Sequence, residues 1–226
     1  MNVAECLDGW MSNADRRAEL ADIHRLNAWF GGYAVTLHAV ASLARPRDSA
    51  KLTVADIGGG DGQFARRIVE WTQATHPAVL VLVIDRDPAT PAPDPRALPR
   101  GSKVVRIRAD ALALPLRDGS ADLATMSLLL HHLDPSDATS ALAEMRRVAR
   151  LGAVVSDLLR SRWSVALVWA ATRIFAATPM ARRDGPLSVR RAYSEEELHE
   201  IARSAGMTRV DIRRYPVLAR LTAILS

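Results

Sequence analysis

The chain has 226 residues, 49% hydrophobic and 24% charged, enough for one sizeable α/β domain. Its formal net charge is +5, yet acids and bases interleave along most of its length. The Arg- and Ala-rich composition therefore reads as the mark of a GC-rich genome rather than of a nucleic-acid groove. The single cysteine, Cys6, excludes an internal disulfide, and Glu5, Asp8, Asp15 and Asp22 break up any apolar leader, so a reducing, cytoplasmic setting is expected.

Residues Asn13 to Leu43 read as two helices joined near Asn27 to Gly32. Residues 1–45 are expected to form a helical lid and 46–226 the main domain, with a substrate-side insertion at about 158–193. "LTVADIG" is a strand, and a helix follows it from Gly62 to roughly Thr75. "AVLVLVID" is a continuous apolar run, the pattern of a strand buried on both faces of a parallel sheet. The next crossover carries prolines at 88, 91, 93, 95 and 99, which argues against a long regular helix there. "KVVRIRAD" is a third strand, "ADLATMSLLLHHL" contains a fourth and "GAVVSDLL" a fifth. Between the last two, Asp134 and Pro135 mark a helix start, with the stop expected at Gly152.

"RWSVALVWAATRIFAAT" reads as an apolar helix, too short and too Arg-bounded to span a bilayer. Ser194 and Glu197 form a capping box for a helix closed by Gly206. "TRVDIRRYPVLARLTAIL" gives two closing strands broken at Pro216, an antiparallel pair at the sheet edge. The whole is a doubly wound, Rossmann-like three-layer α/β sandwich with a mostly parallel seven-stranded sheet, whose ligands belong beyond the carboxyl ends of the strands.

The glycine loop "VADIGGGDGQFARRI" sharpens the chemistry. Gly58 and Gly60 match a dinucleotide fingerprint, but Gln63 stands where its third glycine belongs. No Gly-Lys-Ser/Thr follows, which excludes a phosphate-cradling P-loop. Asp56 and Asp61 are poor company for a pyrophosphate and suit a cationic ligand instead. Asp85 closes the second strand at the distance from the loop where an acid receives ribose hydroxyls, with Asp87 as a competitor. Asp110 and Ala111 close the third.

On these residues the chain resembles the class I S-adenosylmethionine-dependent methyltransferases. "DIGGGDG" looks like their glycine motif, "VIDRD" like their ribose-binding acid, and "RADALALPLRDGSADLATMSLLLHHL" like their later small-molecule motifs. The resemblance implies S-adenosylmethionine as cofactor and S-adenosylhomocysteine as product. It implies Gly58, Gly59, Gly60 and Gly62 against the methionine part, and Asp56 and Asp61 near its amino group. Asp85, with Arg86 beside it, falls to the ribose, Asp110 and Ala111 to the adenine, and Ser127 to the sulfonium. The proline-rich crossover departs from the family pattern, which usually has a helix there.

For the acceptor, His131 and His132 follow the fourth strand and face the site mouth; either is a candidate base, and either can equally serve packing. No carboxylate-rich set at ligand spacing accompanies them, so no metal is expected. Asn27, Trp29, Phe30 and Tyr33 beside two glycines look like a lid, and Trp163, Trp169 and Phe175 add apolar surface. Arg182, Arg183, Asp184, Arg190, Arg191 and Tyr193 crowd a Gly-Pro turn, read either as a solvated charged loop or as a wall where Arg190 or Arg191 steadies an acidic group. Tyr193 or Asp157 would position the acceptor. "DGPLSVRRAY" after an apolar helix resembles bacterial methyltransferases of polyketide and quinone pathways. The expectation is O-methylation of a small apolar phenolic, quinone or polyketide acceptor. The alternatives are C-methylation of such a ring, or a non-catalytic cofactor-binding module. Nucleic acid is not expected as a partner. Stable membrane insertion is not expected either, surface association is compatible with the aromatic helix, and the chain would act as a monomer or homodimer.

Overall fold

The computed structural model describes residues 13–44, 51–72, 78–86 and 98–226. Residues 87–97 of the proline-rich crossover, Asp87 among them, lie outside these.

Helix α1 spans Asn13–Trp29 and α2 Gly32–Leu43, with Gly31 between them at φ 70°. Strand β1 (Lys51–Ile57) leads through the glycine loop into α3 (Gln63–Thr72), followed by β2 (Ala78–Asp85), β3 (Lys103–Arg108) and β4 (Ala121–Ser127). A single 3₁₀ turn, Leu130–His132, joins β4 to α4 (Pro135–Val148). Strand β5 (Ala149–Leu158), helices α5 (Arg162–Phe175), α6 (Pro179–Arg191) and α7 (Glu195–Ser204), and strands β6 (Val210–Tyr215) and β7 (Arg220–Leu225) complete the chain. The seven strands lie in the order β3-β2-β1-β4-β5-β7-β6. β7 runs antiparallel to both β5 and β6, and the other pairings are parallel.

Alternation along β1 explains why both faces are covered. Leu52 and Val54 point into one apolar layer with Val40, Phe64, Ile68 and Val81; Ala55 and Ile57 point into the other with Met126, Leu142, Met145 and Leu198. Neighbours β2 and β4 connect to β1 on opposite sides, so the crevice where strand order reverses opens at the carboxyl ends of β1 and β4.

Two sequence expectations are corrected. Gly152 does not stop α4, which ends at Val148 and runs directly into β5. Its glycine is needed for strand approach, because a Cβ there would stand 2.7 Å from the Leu225 carbonyl oxygen. The Gly-Pro pair is not a turn either: Gly185 and Pro186 lie inside α6. A Cβ on Gly185 would meet Thr172 at 2.9 Å, so the glycine lets α6 press against α5, while Pro186 leaves only one helical carbonyl without its amide. Thr178 caps this helix and Asp22 of α1 holds the cap, accepting from the Ala177 and Thr178 amides at 3.0 and 2.8 Å and from the Thr178 hydroxyl at 2.9 Å. Burial works to raise the Asp22 carboxyl, but those donors and Arg25 outweigh it and hold it below the usual range.

Candidate active site

Two cavities meet at the crevice. The smaller, of about 120 Å³, is lined by Leu20, Ile23, His24, Asn27, Tyr33, Asp56, Gly58, Gly59, Gly60, Phe64, Ser127 and Leu128. The larger, of about 190 Å³, lies beyond Ile23 and Leu128, which line both. Leu128 is held at φ 56°, a left-handed conformation costly for a leucine, with its amide bonded to the Ser156 carbonyl at 2.9 Å. Non-glycine strain of this kind persists where the surroundings over-determine it, and here it fixes the wall between the cavities.

The smaller cavity is made by backbone. Gly58, Gly60 and Gly62 all have positive φ, and a Cβ on Gly58 would come 2.7 Å from Leu129. The Gly60 amide donates to Asp85 Oδ2 at 2.9 Å and its carbonyl accepts from Arg106 at 2.5 Å, so the ends of β2 and β3 hold the loop open. Asp56 is fully buried. Its Oδ1 accepts from the Thr125 hydroxyl at 2.9 Å, whereas Oδ2 has no hydrogen-bond partner among the described residues. Burial is the main reason the carboxyl is pushed up to about 7; the Thr125 bond opposes this and the charge of Asp85 adds to it. A buried carboxylate oxygen beside a cavity and lacking a donor suits a cationic ligand group.

Asp61 is placed differently from the expectation. Its carboxylate turns to α1, where His24 Nε2 stands 2.8 Å away, and His24 Nδ1 meets the Tyr33 hydroxyl. Burial would raise the Asp61 carboxyl, but His24, the Gln63 amide and Arg106 hold it below its ordinary value. Tyr33, expected on the acceptor side, lies instead on the smaller cavity. It stacks on Phe64 with centroids 5.8 Å apart, under the Arg67 guanidinium. At the far end of the crevice Arg86 pairs with Asp110 at 2.6 Å, and Asp110 also accepts from the Leu112 amide across Ala111.

The larger cavity is mostly apolar, walled by Leu26 of α1 and Phe30 just beyond it, Leu167, Val168 and Ala171 of α5, and Ala181 and Gly185 of α6. Its polar floor includes His131, His132 and Arg220. His131 is 6% exposed and its Nδ1 lies 2.6 Å from Asp157 Oδ1. Asp157 also accepts from the His131 amide at 3.0 Å and the Leu158 amide at 2.7 Å. Burial works to raise this carboxyl, but His131 and the two amides hold it below the carboxylate range. An ionised carboxylate can only accept, so Nδ1 carries the hydrogen, and in the neutral imidazole of that tautomer Nε2 holds the lone pair. The His132 ring lies tilted against that of His131, with centroids 4.1 Å apart; although His132 reaches solvent, desolvation and then His131 push its imidazole down to about 4.

Several residues expected around the acceptor do other work. Asp157 serves His131 rather than the cavity. The Tyr193 hydroxyl donates to the Leu133 carbonyl at 2.7 Å, steadying the turn that carries the histidines. Arg190 and Arg191 are exposed and line neither cavity, because α6 turns Asp184 and Ser188 inward instead. Trp163 is 63% exposed, one turn before Leu167 and past the end of the cavity, and Trp169 lies on the outer face of α5 beneath Arg173. Trp29 packs edge-on against Phe175, as Phe30 does, but only Phe30 reaches the lining. Sequence reasoning missed Arg220, on the last strand of the chain, for want of any local motif. Among the described residues no group of three or more potential metal-ligating side chains occurs, and no helix is long and apolar enough to cross a membrane.

Comparison with known proteins agrees with this arrangement. Residues 54–152 match the model of a methyltransferase domain family. Over 190 residues the chain is 32% identical to a demethylmenaquinone methyltransferase of Roseiflexus castenholzii, covering 77% of this chain and 75% of that protein. The chain belongs to the class I S-adenosylmethionine-dependent methyltransferases. Its fold matches human N-acetylserotonin methyltransferase, solved with S-adenosylmethionine, at a TM-score of 0.63 and 14% identity, over 95% of this chain and 56% of that one. It also matches magnesium protoporphyrin IX methyltransferase of Synechocystis, solved with S-adenosylhomocysteine, at a TM-score of 0.56 and 17% identity, over 91% and 86%. The mostly parallel seven-stranded sheet of this methyltransferase, with its antiparallel β7, is the architecture that the sequence pattern implied.

Proposed function

We propose that this methyltransferase methylates a hydroxylated, quinone-type aromatic acceptor, with His131 as the base. The observation that carries the reading is the buried Asp157–His131 pair on the floor of an apolar cavity, one residue's thickness from the glycine-loop cavity. The name of the Roseiflexus relative supports a quinone acceptor.

S-Adenosylmethionine, when bound, supplies a methyl carbon made electrophilic by its sulfonium. Asp56 Oδ2, a buried oxygen with no hydrogen-bond partner among the described residues, fits its ammonium group. Gly58, Gly59, Gly60 and Gly62 would let the backbone approach the amino-acid portion. Asp85 would take the ribose, with Arg86, Asp110 and Ala111 along the adenine and Ser127 near the sulfur. Asp61 would act through His24, fastening α1 over the bound molecule. On the acceptor side, His131 Nε2 takes the hydroxyl proton and Asp157 stabilises the imidazolium that results. The acceptor oxygen, or the ring carbon next to it, then forms the new bond as the carbon–sulfur pair leaves with sulfur. The same deprotonation serves either atom. The exposed Trp29, Trp163 and Trp169, interleaved with Arg162 and Arg173 at the acceptor end, fit association with an anionic membrane surface. Sedimentation with phosphatidylglycerol vesicles reads that association directly.

The test is transfer of an isotope-labelled methyl from S-adenosylmethionine to a panel of reduced naphthoquinones lacking a ring methyl, and of phenols, followed by mass spectrometry. Label in a quinol product is expected, and its position tells oxygen from carbon. Tight binding of S-adenosylhomocysteine with no transfer to any member would instead favour a non-catalytic binding module.

A further inference from the structure

Arg220 is a buried cation whose charge the protein itself leaves incompletely answered. It is 8% exposed, on β7, opposite Leu158 of β5. Among the described residues its guanidinium donates one side-chain hydrogen bond, to the neutral amide oxygen of Asn27. Gly32 makes room for that pair: a Cβ there would stand 2.5 Å from Asn27 Oδ1 and 3.3 Å from Arg220 Nε and Nη2. Asn27 lines the glycine-loop cavity and Arg220 the apolar one, so their bond lies on the partition that Ile23 and Leu128 also form. A guanidinium has five N–H donors, and leaving such donors unmet in an apolar surrounding is costly.

We propose that Arg220 is a specificity-determining residue that receives an anionic oxygen of the acceptor, so the enzyme selects acidic hydroxyaromatic or enolic acceptors, whose oxygen carries negative charge once its proton has left. This rests on the reading of the larger cavity as the acceptor site. Proton transfer to His131 creates two charges. Asp157, its oxygens already engaged by His131 and backbone amides, answers the imidazolium; Arg220 answers the oxyanion. Each charge thus meets a fixed partner in a mostly apolar cavity. Burial lowers the guanidinium, and Asp157 and Tyr33 oppose that, leaving it at about 10 and still cationic at neutral pH. Glu19 and Asp184 line the same cavity, yet neither bonds to Arg220.

The probe is 2-hydroxy-1,4-naphthoquinone, an anion at neutral pH whose visible absorption reports its protonation state, compared with neutral 1,4-naphthoquinone. Both are titrated into the complex with S-adenosylhomocysteine. The anion is expected to bind at least about tenfold more tightly, with its spectrum unchanged as the anion, as one charge-assisted hydrogen bond provides. R220M should remove the preference, and R220K should retain part of it, while the affinity for S-adenosylhomocysteine stays within about twofold of wild type, the binding machinery for that ligand lying across the partition. Equal binding of the two quinones to the wild-type protein overturns the inference, as does a preference that survives R220M. Should R220M fail to fold, the wild-type comparison and R220K decide the matter. An Arg220-dependent preference without methyl transfer would sink the proposed reaction and leave this inference standing; turnover without a preference would do the reverse.

Discussion

The two cavities share a wall and a roof but are built on different plans. The glycine-loop cavity takes Asp56, Gly58, Gly59, Gly60 and Phe64 of its lining from one short run and Ser127 from the adjacent strand, and α1 and Tyr33 close it. Its shape is a property of backbone: positive-φ glycines, strand ends, and amides tied to Asp85. The apolar cavity draws on α1, the turn after β4, the end of β5, α5, α6 and the residues leading into β7, so it is assembled from side chains far apart in the chain. A site made of backbone is legible in a short motif and intolerant of change; one made of dispersed side chains is neither.

The sharpest way to break the comparison is H131Q. Loss of the proposed base should lower the methyl-transfer rate by about 10²–10⁴-fold, with S-adenosylhomocysteine affinity almost unchanged in calorimetry. A comparable loss of affinity would mean that the cavities do not function separately. D56N comes next. Removing a charge-assisted bond should weaken S-adenosylhomocysteine by about 1.5–3 kcal/mol, and D85A by about 1–3 kcal/mol through the ribose and the Gly60 amide.

The acidity of Asp56 gives the third test. Only the ionised carboxyl pairs with an ammonium group, so with its carboxyl titrating at about 7 in the free protein, affinity should rise with pH and fall about tenfold between pH 8 and pH 6. D56N should flatten that profile. The sign for stability is opposite: a carboxyl raised on folding contributes stability present below its unfolded value near 3.8 and lost as pH rises through about 7. The ligand-free D56N variant should therefore melt above wild type at pH 8, and below it once S-adenosylhomocysteine is added. Scanning fluorimetry reads both.

The smallest effect is expected at the roof. D22A removes the bonds that join α1 to the start of α6, a loss of about 1–2 kcal/mol, seen as faster hydrogen exchange at residues 177–182 with little change in S-adenosylhomocysteine binding.

The contrast between the cavities also accounts for what the sequence could tell. Strand–helix alternation and the capping signals at Asp134 and Ser194 are local, and the two capped helices start where those signals placed them. Gly152 and the Gly185–Pro186 pair misled because both are usual breakers, and what retains the glycines is close approach: of Leu225 at β5, and of α5 at α6. On the acceptor side, residue type pointed to Trp163 and Arg190, but the direction a side chain takes depends on how α5 and α6 are seated, which no local pattern encodes. The Asp157–His131 pair needed the register of β4 with β5, which brings Ser127 level with Ser156 and so the following residues together. Arg220 needed the antiparallel return of β7.

The thin wall at Leu128 has an evolutionary consequence. Because the partition is a few side chains, one of them on a strained residue, rather than a layer of structure, the larger cavity can be widened, narrowed or lined with new chemistry by single substitutions at α5, α6 or Leu128 itself, without touching a residue of the loop opposite. A duplicated copy of such a gene begins with its glycine-loop cavity intact and its larger cavity free to drift.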